Sequence, residues 1–283
     1  MTHYTLLVGS SGGGLPATSF VELTSGSSTF SVPTGYNAIH IQYAVGAGGG
    51  AMRGADYDKA GGESAGAGGG SGAFISDKIF SVTAGETITY AVGAGGARGT
   101  GVYSGSAGDG TDTTLSGSTT GAIFTLSGGG GSSCANGGVQ GPVRDNTAGT
   151  AGSATINGTA ITSGIFSDSD NSIKNVTSNT SGPTTTFNDS GDGAVGNISG
   201  DSGQGPGNCN GDNCRINGND GADSYDGNIL GGAGGSSVGA GTAGTAGTRG
   251  SGGGGGAAQV NSGSTQGAAG GDGEIKYRFL QVI

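Results

Sequence analysis

Hydrophobic and polar residues alternate in three stretches of this chain, and two of the three end in the same seven residues. Ile39, Ile41, Tyr43 and Val45 fall on one side of a period of two, with His40 and Gln42 on the other. Ile88, Tyr90 and Val92 repeat the pattern against Thr87, Thr89 and Ala91. A period of two over this length predicts half-buried β-strands. The first stretch closes on Tyr43-Ala44-Val45-Gly46-Ala47-Gly48-Gly49, and the second on an identical Tyr90-Ala91-Val92-Gly93-Ala94-Gly95-Gly96. Each copy marks a point where sheet hands over to glycine. In the third stretch, Ile275, Tyr277 and Phe279 oppose Lys276 and Arg278. It predicts a C-terminal strand that returns to the N-terminal sheet and closes the domain. Shorter strands are expected at Phe20-Val21-Glu22-Leu23, Lys78-Ile79-Phe80-Ser81-Val82 and Ile123-Phe124-Thr125-Leu126.

A second period, of three, runs through the glycine. Glycines 93, 96, 99, 105 and 108 share it, as do glycines 241, 244, 247, 250, 253 and 256. Three residues per turn is the geometry of a polyproline II-type helix. It places glycine along one edge, able to touch a neighbour, and turns Thr242, Thr245, Thr248 and Arg249 to the other faces. Collagen needs a long strict triplet rich in Pro, and this tract is short and has none. Residues 139–230 carry neither period. Asn, Asp, Ser and Thr dominate there, which predicts long surface loops held at both ends by the glycine scaffold. Long α-helices are not expected, since the longest glycine-free run, Ile165 to Ser181, is rich in residues that disfavour helix interiors.

Composition turns these patterns into a fold. Of 283 residues, 71 are Gly. Ordering a backbone costs about 1–2 kcal/mol per residue, and glycine has no side chain to bury in return. Its N–H and C=O groups must therefore find partners. Strand interiors host glycine poorly. Packed polyglycine II helices suit it, because their amides are free to bond outward and their Cα atoms can approach closely. The expected fold class is all-β: a small antiparallel β-sandwich combined with a packed bundle of polyglycine II helices and long surface loops. Residues 29–283 form this unit, with a loop-rich insertion at 139–230, behind an N-terminal attachment segment at 1–28.

The net charge of −10 and pI near 4.3, without a basic cluster, argue against nucleic acid and anionic membrane surfaces as partners. Residues 1–8 lack the features of a signal peptide, and no apolar run reaches membrane-spanning length, so cytosolic synthesis and no membrane insertion are expected. That compartment favours free thiols at Cys134, Cys209 and Cys214, although Cys209 and Cys214 are near enough in sequence to bridge. His3 and His40 are the only histidines, and no nucleophile–base constellation or phosphate loop can be assembled, so no enzyme is expected. Asp168, Asp170, Asp212, Asp220, Asp223 and Asp226 offer oxygen ligands, but their spacing does not match an EF-hand loop and suits turns. No metal or cofactor is assigned. Aromatic residues stranded in loop sequence, Tyr57, Tyr103, Phe166, Phe187 and Tyr225, accompany Arg144, Lys174 and Arg215. Of these, Phe166, Lys174, Phe187, Arg215 and Tyr225 are the candidate receptor-binding residues, since rigid aromatic faces suit sugars and protein loops.

Several blocks together resemble a known family, the glycine-rich domain of bacteriophage tail-fibre proteins and tail-tip adhesins. They are Phe30–Gly35, Ile39–Gly50, Val82–Gly96, Gly108-Asp109-Gly110-Thr111 before Gly128–Gly131, and the closing Gly270-Gly271-Asp272-Gly273-Glu274-Ile275. The resemblance covers roughly residues 29–136 and 231–283, and it implies a β-sandwich with packed polyglycine helices. In related short adhesins, loops at one end of the glycine bundle bind the host receptor. The expectation is a virion tail-fibre or tail-tip protein, made in the host cytoplasm. Its partners would be a host cell-surface glycan or outer-membrane protein and other virion tail or fibre proteins. It would assemble as a homotrimer or as a monomeric cap on a trimeric fibre. The alternatives are a structural virion component without receptor binding and, more remotely, an ice-binding protein using Thr242, Thr245 and Thr248.

Overall fold

Strands form where the period of two is strongest. The computed structural model describes residues 15–53, 66–100, 105–134, 146–147, 149–161, 175–176, 185–186, 197–198, 215–217, 221, 243–256, 258–259 and 265–282. Ten strands carry the sandwich: β1 (Val21–Leu23), β2 (Ser27–Ser31), β3 (Ala38–Val45), β4 (Phe74–Ser81), β5 (Thr87–Ala91), β6 (Thr113–Gly117), β7 (Gly121–Leu126), β8 (Ala154–Ile156), β9 (Thr159–Ile161) and β10 (Glu274–Leu280). They make two antiparallel sheets, one ordered β1-β10-β3-β4 and the other β9-β8-β7-β6-β5-β2. One core lies between them, built from Ile39, Ile41, Ile75, Ile275, Tyr277 and Phe279 of the first sheet and Ile88, Leu115, Ile123, Phe124 and Leu126 of the second. Phe30 of β2 stacks on Tyr277 of β10 with ring centroids 4.7 Å apart, bridging the two sheets. The C-terminal strand does return to the N-terminal sheet, between β1 and β3.

The alternation expected in β3 breaks after Ile41. Tyr277 pairs with Ile41 but Lys276 pairs with Tyr43, leaving Gln42 as an extra residue opposite β10. The β3–β4 ladder also skips Gln42, and across from it Asp77 takes a left-handed φ of 49°. Such a bulge flips every later side chain to the other face. Ala44, not Tyr43 or Val45, therefore joins Ile39 and Ile41 in the core. Tyr43 and Val45 turn to the outer side and are buried there too. The Tyr43 hydroxyl donates to the buried carboxylate of Glu274, which also pairs with Arg249 at 3.1 Å, and Val45 packs against Gly250.

Past the sheets, the described residues form no α-helix, and hydrogen bonding takes a period of three. The 46–52 segment donates to three neighbours in turn. Gly46, Gly49 and Met52 bond the carbonyls of Ala73, Gly70 and Ala67; Ala47 and Gly50 bond Thr111 and Gly108; Gly48 and Ala51 bond Gly271 and Ala268. It accepts from three more: Gly96 and Gly99, Gly129 and Ser132, and Gly253 and Gly256. These six neighbours bond to one another in a closed ring. Around it, 66–73 joins 127–132 through Gly70 and Gly130, then 107–111 through Gly110 and Gly129, then 94–99 through Gly108 and Ala97. The ring continues to 265–271 through Gly270 and Gly96, to 251–256 through Ala268 and Gly254, and back through Gly69 and Gly253. Segments 149–152 and 243–248 lie outside the ring. This is the hexagonal packing of polyglycine II helices. The first copy of the repeated heptapeptide enters its centre, and the second enters the ring.

Sterics, not conformational freedom, demand the glycine. Apart from Gly250, no lattice glycine in these segments has a left-handed φ. A Cβ on Gly48, Gly49, Gly50, Gly69 or Gly72 would instead stand less than 3.0 Å from a neighbour's backbone oxygen. Glycines 93, 96 and 99 are buried while Ala94, Ala97 and Arg98 are exposed, as the period of three requires. The longer series do not stay on single helices. Gly108 belongs to an antiparallel neighbour of the 93–99 segment, and the chain reverses at Arg249 and Gly250, with φ of 45° and 77°. Gly253 and Gly256 therefore lie on a different helix from Gly244 and Gly247.

At the far tip of the sandwich, the Glu86 carboxylate is 5% exposed and joins two turns. It accepts the N–H groups of Thr83, Thr119 and Thr120 at 2.6, 3.0 and 3.0 Å, and the Thr120 hydroxyl at 2.6 Å. Burial alone would raise its pKa, but the Thr120 hydroxyl and the three amides outweigh it and bring the value down to about 2.

Two predictions follow from this packing. Gly244→Val and Gly247→Val will each cost several kcal/mol by forcing helices apart, about 3 or more. Thr245→Val, on an exposed position, will cost under about 0.5 kcal/mol; urea melts of the three variants provide the check. Because Glu86 is more acidic folded than unfolded, its contribution is complete above the ordinary carboxylate range and fades as pH falls toward 2. Glu86→Gln will lower stability at pH 7 by about 2 kcal/mol and flatten the decline between pH 5 and pH 2, as read from melting temperature against pH.

Candidate functional site

Each glycine segment meets the sandwich at one end only. Residue 46 follows β3, 73 precedes β4, 112 precedes β6, 127 follows β7, 153 precedes β8 and 273 precedes β10, while the reversal at Arg249–Gly250 packs against Val45 and Glu274. Neighbours of the central segment alternate between antiparallel and parallel, as the pairings Gly46–Ala73 and Gly129–Ala47 illustrate. The other ends, at Arg53, Gly66, Thr100, Gly105, Ser132, Gly149, Ala243, Gly256 and Thr265, therefore gather at the opposite pole. Every described chain exit from the lattice on that side leads into sequence with no strand period of its own.

The floor of this pole is tied down by side chains. Met52, 1% exposed, packs with Ala107 where the central helix ends. The buried Ser132 hydroxyl donates to the carbonyl of Ala67 at 2.7 Å and accepts from the N–H of Met52 at 2.8 Å, joining three helices. Two short antiparallel ribbons continue outward. In one, Ser133–Cys134 pairs with both Gly105–Ser106 and Asn146–Thr147. In the other, Arg215–Asn217 pairs with Asn197–Ile198 and with Ala258–Gln259, just past Gly256.

Arg215 pairs with Gln259 in this second ribbon, so its backbone is attached to the pole. The other candidate residues, Phe166, Lys174, Phe187 and Tyr225, lie outside the described residues, as do Tyr57, Tyr103, Arg144, Cys209, Cys214 and the Asp-rich positions 168, 170, 212, 220, 223 and 226. Among the described residues, no three His, Cys, Asp or Glu side chains come together as a metal would need, and no helix is long and apolar enough to cross a membrane. His40 sits on the outer face of the sandwich, away from the pole. Its Nδ1 accepts from Arg278 Nε at 3.1 Å, its Nε2 lies 3.4 Å from Asp77, and its ring is 5.7 Å from that of Phe20. Burial, reinforced by the Arg278 charge, lowers its pKa. Ser132 carried no signal in the sequence, being one serine in a Gly-Ser run; Met52 was legible only as an interruption in a glycine tract.

Fold and pole together define a class: a β-sandwich bearing a hexagonal glycine lattice, whose helices meet the sandwich at one end and gather at a pole at the other. The chain belongs to the glycine-rich domain family, whose pattern spans residues 23–280. No curated protein matches it.

If Ser132 secures the pole, Ser132→Ala will destabilise the protein by about 1–2 kcal/mol, since two backbone groups lose a buried partner. Ser153→Ala, at an exposed position, will stay within about 0.5 kcal/mol. Thermal melts of both variants read the difference.

Proposed function

We propose that the protein is a bacteriophage tail-fibre or tail-tip component that recognises the host cell surface through the segments leaving the far pole of its glycine lattice. The observation that carries this reading is the convergence of the lattice's far ends on one pole. Segments anchored at both ends to a cross-bonded scaffold can vary in sequence without disturbing the fold, which is how binding loops are commonly presented. The lattice itself offers little for recognition, because its glycines have no side chains. The insertion at 139–230 supplies aromatic, amide and cationic groups, and Arg215 ties it to that pole.

The acidic character of the chain shapes the contact. With a net charge of −10, general attraction to anionic surface glycans is excluded, so binding rests on local hydrogen bonds and stacking. The partners are a host glycan or an outer-membrane protein on one side and other virion fibre proteins on the other. The attachment role of residues 1–28 belongs to the same proposal.

Phe166→Ala, Phe187→Ala, Arg215→Ala and Tyr225→Ala, each measured for adsorption to host cells and for melting temperature, test this reading. At least one variant should lose tenfold or more in adsorption, about 1.4 kcal/mol of binding, while melting as wild type does. Unchanged adsorption in all four, and in a variant with residues 165–199 replaced by a short Gly-Ser linker, would overturn it and leave a purely structural virion component.

A further inference from the structure

A hexagonal lattice has no natural edge. Each polyglycine helix offers donors in three directions, and helices of the outer ring turn some of them away from the centre. In 127–132, Gly129 and Ser132 donate to the central helix, and Ser127 and Gly130 donate to the 149–153 segment. The third direction, that of Gly128 and Gly131, faces the position that the next helix of the lattice would occupy. There the donors meet carboxylates instead. Gly131 N–H bonds Asp109 Oδ1 at 2.7 Å, and Gly128 N–H bonds Asp112 Oδ1 at 3.3 Å. Asp109 and Asp112 are three residues apart, as are Gly128 and Gly131, so one turn of each helix brings both pairs into register.

The same arrangement recurs on the 94–99 helix. Gly96 and Gly99 donate inward, while the outward N–H groups of Ala94 and Gly95 bond Thr111 Oγ1 at 2.7 Å and Asp272 Oδ1 at 2.8 Å. In all four cases the acceptor is a side chain reaching from an adjacent helix. Asp109, Thr111, Asp112 and Asp272 are all exposed. They therefore stand where a further helix would dock.

We propose that these four residues are edge caps, which end the lattice at its present width and keep the glycine helices of a second copy of this chain from adding to it. The logic is that of charged residues on the edge strand of a β-sheet, where unpaired donors are a template for association. A carboxylate does three things at such an edge. It satisfies the donor with a charge-assisted bond. It fills space beside helices that pack too closely for added bulk, since a Cβ on Gly128 or Gly131 would fall less than 3.0 Å from a backbone oxygen. It also gives two approaching edges like charge. The inference stands independently of host recognition.

The test compares the full chain with Asp109→Gly/Asp112→Gly and Asp109→Asn/Asp112→Asn double variants. The glycine variant keeps a backbone that the lattice accepts but strips the edge, whereas the asparagine variant retains an acceptor and similar bulk. Amide exchange at Gly128 and Gly131 should quicken at least tenfold in the glycine variant and change less than threefold in the asparagine variant. In sedimentation over a hundredfold range of concentration, the glycine variant should form species larger than wild type, and the asparagine variant should match wild type. Wild-type exchange and wild-type mass in a folded glycine variant would overturn the proposal. So would equal association by both variants, which would make charge alone the barrier. If the glycine pair proves too unstable to purify, Asp272→Gly, with exchange read at Gly95, carries the same expectations and the same means of refutation.

Discussion

Backbone amides bonding to backbone carbonyls of closely packed, glycine-rich helices hold this structure together. Each such bond adds only about 1 kcal/mol net. Here the bonds substitute for the side-chain packing that most domains of this size use, because Gly46, Gly48, Gly49 and Gly50 have almost nothing else to contribute. Their distances run from 2.7 to 3.3 Å around the central segment, within the ordinary range, and all six sides of that segment are occupied. A single added Cβ opposes this at once, since it meets fixed backbone and not a side chain that can turn aside.

The sandwich and the lattice depend on one another through that constraint. Strands that bond in a plane hand over to helices that bond in six directions, and the handover must deliver each helix at the right place and phase. The bulge at Gln42 and Asp77 serves this end. By turning Val45 outward against Gly250, and Tyr43 toward Glu274 and Arg249, it attaches the first sheet to the reversal at the lattice's near end. With the near ends committed to strands, the other ends of the glycine segments gather at the opposite pole. That polarity of the described residues is thus a consequence of topology.

The two periods in the sequence made much of this legible. A period of two predicted the core residues of β5 and β10, and a period of three predicted polyglycine helices with Gly244 and Gly247 inward and Thr245 and Thr248 outward. Local pattern could not show where a period changes helix. Glycines 250 and 253 continue the spacing of 244 and 247 without interruption, yet the chain turns back between them, because left-handed φ values at Arg249 and Gly250 leave no mark on spacing. Nor could it show the bulge in β3, where Tyr43 and Val45 read as core residues and are buried on the opposite face.

The proposed binding surface was less legible than the scaffold, and for a physical reason. Recognition residues in loops obey no period, so sequence offers only their chemistry, and Arg215 is the one candidate whose backbone is placed at the pole. What the sequence determined by itself was the kind of structure: strands where β-branched and aromatic residues alternate, and close-packed extended helices where side chains are absent. Tertiary structure alone decided which copy of the repeated heptapeptide became the centre. The two copies are identical through Gly49 and Gly96, so no local preference separates them. Their places differ because they leave different sheets: the helix after β3 enters the middle of the ring, and the helix after β5 enters its rim.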